Sequence, residues 1–368
     1  MITEDRRAAQ AVGRARGELT TPALILDLDL ARANIAAMAR RTRELGTALR
    51  PHVKVHKSPQ LAHLQVQAGA QGITTATVWE ARAMAQAGLD DILVANEVVG
   101  DSPMRALAAL AGERRVLALV DDADNARRLG AVAAAMGVQV GLLVDVDTGM
   151  GRCGVRTAAD AAALAQIVVG TPGLELGGVS GYEGHCMLEP DPARRVQRQR
   201  AAMDVLGAAV DAIADVGLPC EIVSAGGTGT YHLTGADPRV TELQAGSYAV
   251  MDLFHSRLVP GFEVAVTVLA TVISRHGDDI VLDAGQKAVG GLAPRISGVA
   301  ADAAYVNEEH TGFRLPPGTA PPVGTVVELQ LGYAPTAINL FDAYHVVEGG
   351  VVTDLWPVMA RYGVETLA

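Results

Sequence analysis

The chain alternates between short apolar segments and longer alanine-rich segments whose apolar residues recur at helical spacing. Eight of the short segments are predicted β-strands, and most are separated by a predicted helix. Such alternation is typical of parallel βαβ units, and eight units close naturally into a (β/α)8 barrel, a TIM-type fold. An open doubly wound sheet is the alternative. The predicted strands are 48–55, 72–78, 91–98, 115–121, 138–146, 174–183, 220–226 and 240–247.

A second, mainly β domain is predicted after the barrel. A chain of 368 residues exceeds the roughly 250–300 residues that one hydrophobic core usually organises. Beyond the barrel the helical segments give way to β-type runs, beginning with two strands joined by a turn at 276–279. The early strand 22–29 lies outside the eight and is assigned to this domain. We therefore predict an α/β protein with a barrel at 30–255 and a mainly β domain formed by 1–29 and 256–368.

Charge and cysteine usage narrow the class of protein. The net charge is −11 and there is no lysine- or arginine-rich run, so nucleic acid is not an expected partner. Cys153, Cys186 and Cys220 are widely spaced, and an odd count without a CxxC pair argues against a disulfide framework. The N-terminal sequence has no apolar signal region, and no apolar stretch reaches the roughly 18 residues of a membrane span. The expectation is a cytoplasmic protein that acts on a small molecule.

Three basic side chains alternate in the first predicted barrel strand. In LRPHVKVHKS, 49–58, a strand would place His52, Lys54 and His56 on one face. A lone lysine is usually a solvated surface charge, but an inward-facing lysine is costly to bury unless it is paired or chemically used. A desolvated lysine has a lowered pKa and can form a Schiff base with a carbonyl. Lys54 is therefore the candidate nucleophile, whereas Lys57, just past the strand, is less constrained.

A glycine-rich run follows the seventh predicted barrel strand. Its backbone N–H groups and hydroxyls suit a phosphate, and barrels commonly hold phosphate after strands seven and eight, although a plain tight turn is the simpler interpretation. Two residues after strand eight, Gly246 and Ser247, could complete the site. The residues of the run are Gly226, Gly227, Thr228, Gly229 and Thr230.

Two further loops bring polar groups to the same end of the predicted barrel. After strand five, Arg152 lies in the glycine-rich turn DVDTGMGRCGV, where a surface salt bridge is the simpler interpretation. After strand six, SGYEGHCM provides Tyr182, His185 and Cys186, any of which is more often structural. A lysine able to form an imine together with a phosphate site predicts pyridoxal 5'-phosphate (PLP) as cofactor. A phosphorylated carbonyl substrate, as in Schiff-base aldolases, would use the same two parts.

An ordered set of motifs resembles the D-threonine aldolase / D-serine dehydratase family. The motifs are TPALILDLDLARANI, RPHVKVHK, DTGMGRCGV, GGTGTY, ELQAGSYAVMD, VLDAGQKA, EEH and DAYHVV, which span nearly the whole chain. The resemblance implies an alanine racemase-like fold, with a PLP-binding barrel followed by a β domain, and usually a homodimer. It assigns the Schiff base to Lys54, a position near the cofactor ring to Arg152, and the rim of strand six to Tyr182. The phosphate loop then falls on Gly227, Thr228 and Gly229, with Ser247 in a second matched segment.

One segment departs from the family pattern. Members that cleave or dehydrate β-hydroxy-D-amino acids typically carry a PxHxCPT or PxHxDPT-like segment whose histidine and cysteine or aspartate bind a divalent metal. This chain has LQLGYAPTAINLFD, with Gly332 in place of the histidine and Ala334 in place of the second ligand. Neither side chain can coordinate a metal. We therefore predict no metal at the family position.

Three functions remain open from the sequence. The first is a PLP lyase, an aldolase or dehydratase, acting on a β-hydroxy D-amino acid with a histidine in place of the metal. The second is a metal-independent racemase or epimerase with Lys54 as one base, because racemisation needs only a proton acceptor and a donor on opposite faces of Cα. The third is a non-catalytic carrier of PLP. Candidate histidines for the lyase are His52, His56 and His185, and candidate second bases for the racemase are Tyr182, His185 and Cys186.

Overall fold

A computed structural model describes residues 11–361, whose contacts divide into two compact units. One unit comprises Met38–Lys54 and Leu61–Gly246, and the other comprises the described residues up to Ala37, Val55–Gln60, and those from Ser247 onward. The predicted boundaries of the two domains stay predictions. Among residues 11–361, no helix combines the length and apolar character that crossing a membrane requires.

The first unit contains eight strands that are all parallel. Their order is β2-β9-β8-β7-β6-β5-β4-β3, and the two outer strands meet through a bridge between His52 and Thr74 and a 2.9 Å hydrogen bond from Thr74 N to Pro51 O. The barrel predicted from the eight alternations is thereby confirmed. The strands are β2 (Ala48–Leu49), β3 (Ile73–Thr75), β4 (Asp91–Glu97), β5 (Arg115–Val120), β6 (Val140–Asp145), β7 (Leu174–Gly181), β8 (Ile222–Ala225) and β9 (Glu242–Leu243).

Helices lie between these strands, and their starts follow local capping chemistry. At three of these helices, the side chain of the residue before the helix accepts a hydrogen bond from the backbone N–H three residues later, a donor that the helix itself leaves free. These capping residues are Thr77, Asp122 and Thr157. The helices are α1 (Leu28–Leu45), α2 (Pro59–Gln67), α3 (Val78–Gln86), α4 (Asp101–Ala111), α5 (Ala123–Ala135), α6 (Ala158–Gly170), α7 (Pro192–Asp215) and α8 (Tyr231–Thr234).

The first barrel strand is shorter than predicted. The prediction of a strand over 48–55 is wrong beyond Leu49, because β2 ends there and Val53–Val55 form a 3-10 helix. Pro51 has no N–H to donate to a strand ladder, which ends the regular pairing. The inference that His52, Lys54 and His56 share one strand face is therefore wrong. Lys54 instead lies in a helical turn immediately after the carboxyl end of β2.

The second unit is built on a nine-stranded sheet. Strand β1 (Ala23–Asp27) pairs antiparallel with β10 and parallel with β16, so the segment 22–29 joins this sheet rather than the barrel. The predicted hairpin turns at Gly277, where φ is +62°. The remaining elements are α9 (Leu253–Ser256), β10 (Val266–His276), β11 (Asp279–Leu282), α10 (Gln286–Val289), β12 (Arg295–Ile296), β13 (Ala303–Val306), β14 (Thr311–Arg314), β15 (Val326–Gln330), α11 (Ala334–Ile338), β16 (Ala343–Glu348) and β17 (Val351–Pro357).

Candidate active site

The chain has three lysines, and the structure gives them different surroundings. Lys57 is buried, and its Nζ donates a 3.0 Å hydrogen bond to Ala360 O. Lys287 is exposed and forms ion pairs with Glu308 and Glu309. Lys54 has no hydrogen bond or ion pair among residues 11–361. It is therefore the lysine whose amine is not already used by the fold.

The protein around Lys54 changes the basicity of its amine. Solvent reaches the side chain, yet desolvation by the protein around it lowers the pKa of the amine to about 8. The nearby Arg152 guanidinium lowers this pKa further, whereas the Glu80 carboxylate opposes the shift. Glu80 is buried, and it is held in part by a 2.7 Å hydrogen bond from Ala76 N. Because the shift favours the neutral amine, Lys54 is suited to attack a carbonyl near neutral pH.

The Tyr182 ring lies between Arg152 and the glycine loop. The Arg152 guanidinium carbon is 5.8 Å from the ring centroid, a cation–π distance. A Cβ at Gly227 would lie 3.1 Å from Tyr182 Cε2. The loops after β6, β7 and β8 thus meet at one ring. The structure brings Arg152, Tyr182 and Gly227 together at the carboxyl ends of the strands, where barrels carry their chemistry.

A buried carboxylate, Glu183, supports the glycine loop from within the protein. It is fully buried and accepts hydrogen bonds from Gly226 N at 3.1 Å, from Thr230 Oγ1 at 2.6 Å and from Thr234 Oγ1 at 2.5 Å. The Gly227 N–H in turn donates to Thr230 Oγ1 at 3.2 Å. Sequence reasoning missed Glu183, although its place at the end of predicted strand 174–183 was a usable signal.

These bonds leave part of the loop free to bind an anion. The N–H groups of Gly226 and Gly227 and the Thr230 hydroxyl are used inside the protein, whereas Gly229 N–H has no partner among residues 11–361. Gly226 has a φ of +79°, which favours glycine there. Gly246 follows β9, the strand that pairs with β8, and so lies at the same end of the barrel. Ser247 begins the second unit and opens the 3-10 helix Ser247–Ala249.

The predicted acid–base residues occupy different environments. His52 is buried at the bridge that closes the barrel, and His56 is fully buried with its Nδ1 accepting from Ser58 N at 3.1 Å. His185 is partly buried, and desolvation, assisted by Arg198, lowers the pKa of its imidazole. Cys186 is fully buried, which raises the pKa of its thiol to about 11. His185 therefore carries a neutral ring at pH 7, and Cys186 a protonated thiol.

An acidic cluster at the ends of β4, β5 and β6 was missed by the sequence analysis. Each of three side chains offers one possible metal-ligand atom, and these atoms lie within 4.8 Å of one another. The side chains are those of Glu97, Asp121 and Cys153. Burial, and then the neighbouring Glu97, raises the pKa of Asp145, which ends β6. The three cluster residues come from three strand ends far apart in sequence, so no local sequence motif predicts the cluster.

The positions of the missing family metal ligands are closely packed. A Cβ at Gly332 would lie 2.6 Å from Leu292 Cβ and 2.7 Å from Ala293 O, closer than non-bonded atoms allow. Ala334 is fully buried, and its N–H donates to Asp252 Oδ2 at 3.0 Å. A histidine cannot replace Gly332 without moving this backbone.

The residues present fit PLP. Lys54 offers an unpaired, desolvated amine, and the glycine loop offers a free N–H at Gly229. The Tyr182 ring lies against the glycine loop, with Arg152 over it. An aldehyde, an aromatic ring and a phosphate would each find a matching group here.

Two family models match the chain. The first, "Alanine racemase, N-terminal domain", matches residues 26–253, and the second, "Putative serine dehydratase domain", matches residues 265–347. Together the two matches cover most of the chain.

Individual proteins are similar over almost the whole length. A D-threonine aldolase from Arthrobacter sp. is 36% identical over 358 residues, covering 95% of this chain and 94% of that protein. A 3-hydroxy-D-aspartate aldolase from Paracoccus denitrificans (strain Pd 1222) is 34% identical over 365 residues, with the same coverage. The crystal structure of D-threonine aldolase from Filomicrobium marinum superposes with a TM-score of 0.92 at 35% identity, covering 95% of this chain and 98% of that chain.

Proposed function

Because the chain belongs to the D-threonine aldolase / D-serine dehydratase family of alanine racemase-like lyases, we propose that it is a PLP-dependent aldolase of β-hydroxy-D-amino acids. This family implies PLP as the cofactor. The observation that carries the proposal is the unpaired Lys54 amine near Arg152, whose guanidinium in turn lies over the Tyr182 ring. The two relatives described above are both named aldolases, which favours cleavage over dehydration.

Lys54 is proposed to bind the cofactor aldehyde. Its neutral amine is the nucleophilic form, and the desolvation that lowers its pKa to about 8 makes that form accessible near neutral pH. When bound, PLP supplies an electron sink for a bond broken at Cα. When not bonded to the cofactor, the Lys54 amine would be available to move protons at Cα.

The surrounding side chains hold and orient the reacting groups. Gly229, with Thr228 next to it, is proposed to donate to the phosphate, since the Gly226 and Gly227 N–H groups are already used by Glu183 and Thr230. The Tyr182 ring supports one face of the site, and Arg152 provides a fixed positive charge beside it. Gly246 and Ser247 remain proposed cofactor contacts.

Cleavage between Cα and Cβ requires a base for the β-hydroxyl proton. We assign this role to His185, because desolvation keeps its imidazole neutral and able to accept a proton. His52 is the second candidate. In this proposal a histidine takes the part of the family metal, whose ligand positions are Gly332 and Ala334 here.

A racemase is the alternative function, and the replacement of both metal ligands favours it. Racemisation needs a second acid–base group opposite Lys54. Cys186 suits this role poorly, because it is fully buried and its thiol pKa is raised to about 11, which leaves Tyr182 and His185.

A homodimer is proposed from the family likeness, and a reducing compartment from the free thiols of Cys153, Cys186 and Cys220.

The test is an assay of purified, PLP-loaded protein with D-threonine and 3-hydroxy-D-aspartate in deuterated water. An aldolase releases glycine with acetaldehyde or glyoxylate, and we expect this release to persist with a chelator present. Lys54→Arg should abolish it, whereas Lys57→Arg, a matched control that can still donate to Ala360 O, should retain it. His185→Asn should lower kcat by about 10²-fold or more, the usual contribution of a general base.

Other products would redirect or refute the proposal. Keto-acid formation would make the protein a dehydratase, and deuterium at Cα without carbon–carbon cleavage would make it a racemase. Release of glycine by Lys54→Arg at the wild-type rate would refute the assigned chemistry altogether.

A further inference from the structure

The acidic cluster of the barrel has the composition of a metal site. Glu97 ends β4, Asp121 follows β5 directly, and Cys153 lies in the loop after β6. Their ligand atoms lie within 4.8 Å of one another. Oxygen and sulfur atoms bound to one ion at roughly 2.0–2.3 Å are at most about 4.6 Å apart, so small side-chain rotations bring all three into reach.

A second observation points to a missing cation. Asp145 is 5% exposed, and its carboxyl group faces that of Glu97, with which it shares a hydrogen bond that raises the pKa of Asp145. The Glu97 Oε1 atom is also buried without a hydrogen-bond partner in the described chain. Two buried carboxyl groups this close hold either a shared proton or a cation between them, and a metal ion would take the place of the proton.

The charges of the cluster support a divalent ion. Three carboxylates and one thiol converge here, and Arg152 is the cation that acts on both Asp145 and Cys153. Once a metal ion displaces their protons, the three carboxylates and the thiolate carry more negative charge than one guanidinium can balance. A divalent ion together with Arg152 brings the cluster close to neutrality.

The loop that carries Cys153 is fixed over the cluster. Gly154 N donates to Asp121 Oδ2 at 2.9 Å, and Val155 N donates to Asp145 O at 2.9 Å. Gly154 has a φ of +104°, and a Cβ there would lie 2.4 Å from Asp147 N. The thiol is therefore presented to the carboxylates by backbone contacts that leave little freedom.

From this arrangement we infer that Glu97, Asp121 and Cys153, with Asp145 beside them, bind one divalent transition-metal ion of the zinc class. A mixed thiolate and carboxylate set suits zinc better than magnesium or calcium, which prefer oxygen alone. The site lies in the barrel unit and is separate from the family position at Gly332 and Ala334. Because Cys153 directly follows Arg152, the ion would fix the backbone that carries the guanidinium.

The test uses cobalt as a spectroscopic substitute for zinc. The full-length, PLP-loaded protein is dialysed against a chelator, freed of it, and titrated with Co²⁺ while the thiolate-to-cobalt absorption band is recorded. We expect a band that saturates at one ion per chain and is displaced by Zn²⁺. Cys153→Ser should remove the band, and Glu97→Gln should weaken Co²⁺ binding by about tenfold or more, at least the loss that outer-shell changes cause.

Cys220→Ser is the matched control, since Cys220 is also partly buried but lies outside the cluster. It should leave the band unchanged, and circular dichroism checks that each variant is folded. Absence of a band in the folded wild-type protein, or an undiminished band in Cys153→Ser, would overturn the inference. This outcome is independent of aldolase activity, so it leaves the proposed function to its own test.

Discussion

At the scale of single residues, the distinction between Lys54 and Lys57 depends on the fold. Both lysines carry the same chemistry in the sequence, and they are three residues apart. The strand argument selected Lys54, although its premise of an extended strand is wrong. What separates the two is a hydrogen bond from Lys57 to the distant Ala360, which no sequence pattern reveals.

The lowered pKa of Lys54 predicts how fast the cofactor-free protein takes up PLP. Because the neutral amine reacts, the rate of uptake should rise as pH rises toward the pKa, about 8, and level off above it. Stopped-flow absorbance between pH 6 and about pH 10 measures this rate. Free Nα-acetyl-lysine, with an ordinary pKa near 10.4, is the control and should keep accelerating over the whole range. A protein rate that also climbs to pH 10 would show that Lys54 is not desolvated.

At the scale of elements, the glycine loop shows how far sequence reasoning reaches. The run GGTGT correctly indicated a loop at the end of β8 that is rich in donors. It could not indicate that three donors of this loop already form hydrogen bonds within the protein. These donors are Gly226 N–H, Gly227 N–H and the Thr230 hydroxyl. That assignment depends on Glu183, which comes from the neighbouring strand β7 and meets the loop only in the folded barrel.

Glu183→Gln should therefore weaken both the fold and cofactor binding. The amide loses one acceptor and turns an N–H group toward donors, so we expect a loss of about 2 kcal/mol in the free energy of unfolding. The Kd for PLP should rise, because Thr228 and Gly229 are no longer held in place. Glu175→Gln, on an exposed position of β7, is the control and should change neither. Unaltered PLP affinity in a folded Glu183→Gln protein would show that the loop needs no such support.

For the whole molecule, the repeated alternation of predicted strands and helices allowed the architecture to be predicted from the sequence. Eight alternations predicted the barrel, and the change to glycine-punctuated β-type runs predicted the second sheet. The strand lengths could not be predicted, since β2 and β9 have two residues each, whereas the predicted strands 48–55 and 240–247 are much longer. The interior polar network was also missed: Arg50 is 1% exposed and binds Glu242 through Nε at 3.0 Å, linking two strand ends.

Arg50→Met should destabilise the barrel unit. It leaves the Glu242 carboxylate buried without its cation, and breaking such a pair costs about 3–5 kcal/mol. Arg115→Met is a matched control, because Arg115 pairs with the same Asp91 as Arg50 but from an exposed position, and should cost about 1 kcal/mol or less.

The two tryptophans, Trp79 and Trp356, lie in different units, so urea unfolding of Trp356→Phe proteins, followed by tryptophan fluorescence, reports the barrel alone. Equal shifts for both variants would show that the buried pair is not essential to the barrel.

The central claim is that Lys54 carries the cofactor. Borohydride reduction of the PLP-loaded protein, followed by proteolysis and mass spectrometry, locates a covalent pyridoxyl group among the three lysines. We expect one modification, on Lys54, with Lys57 and Lys287 unmodified. A modification on Lys57, or none on any lysine of a protein saturated with PLP, would contradict it.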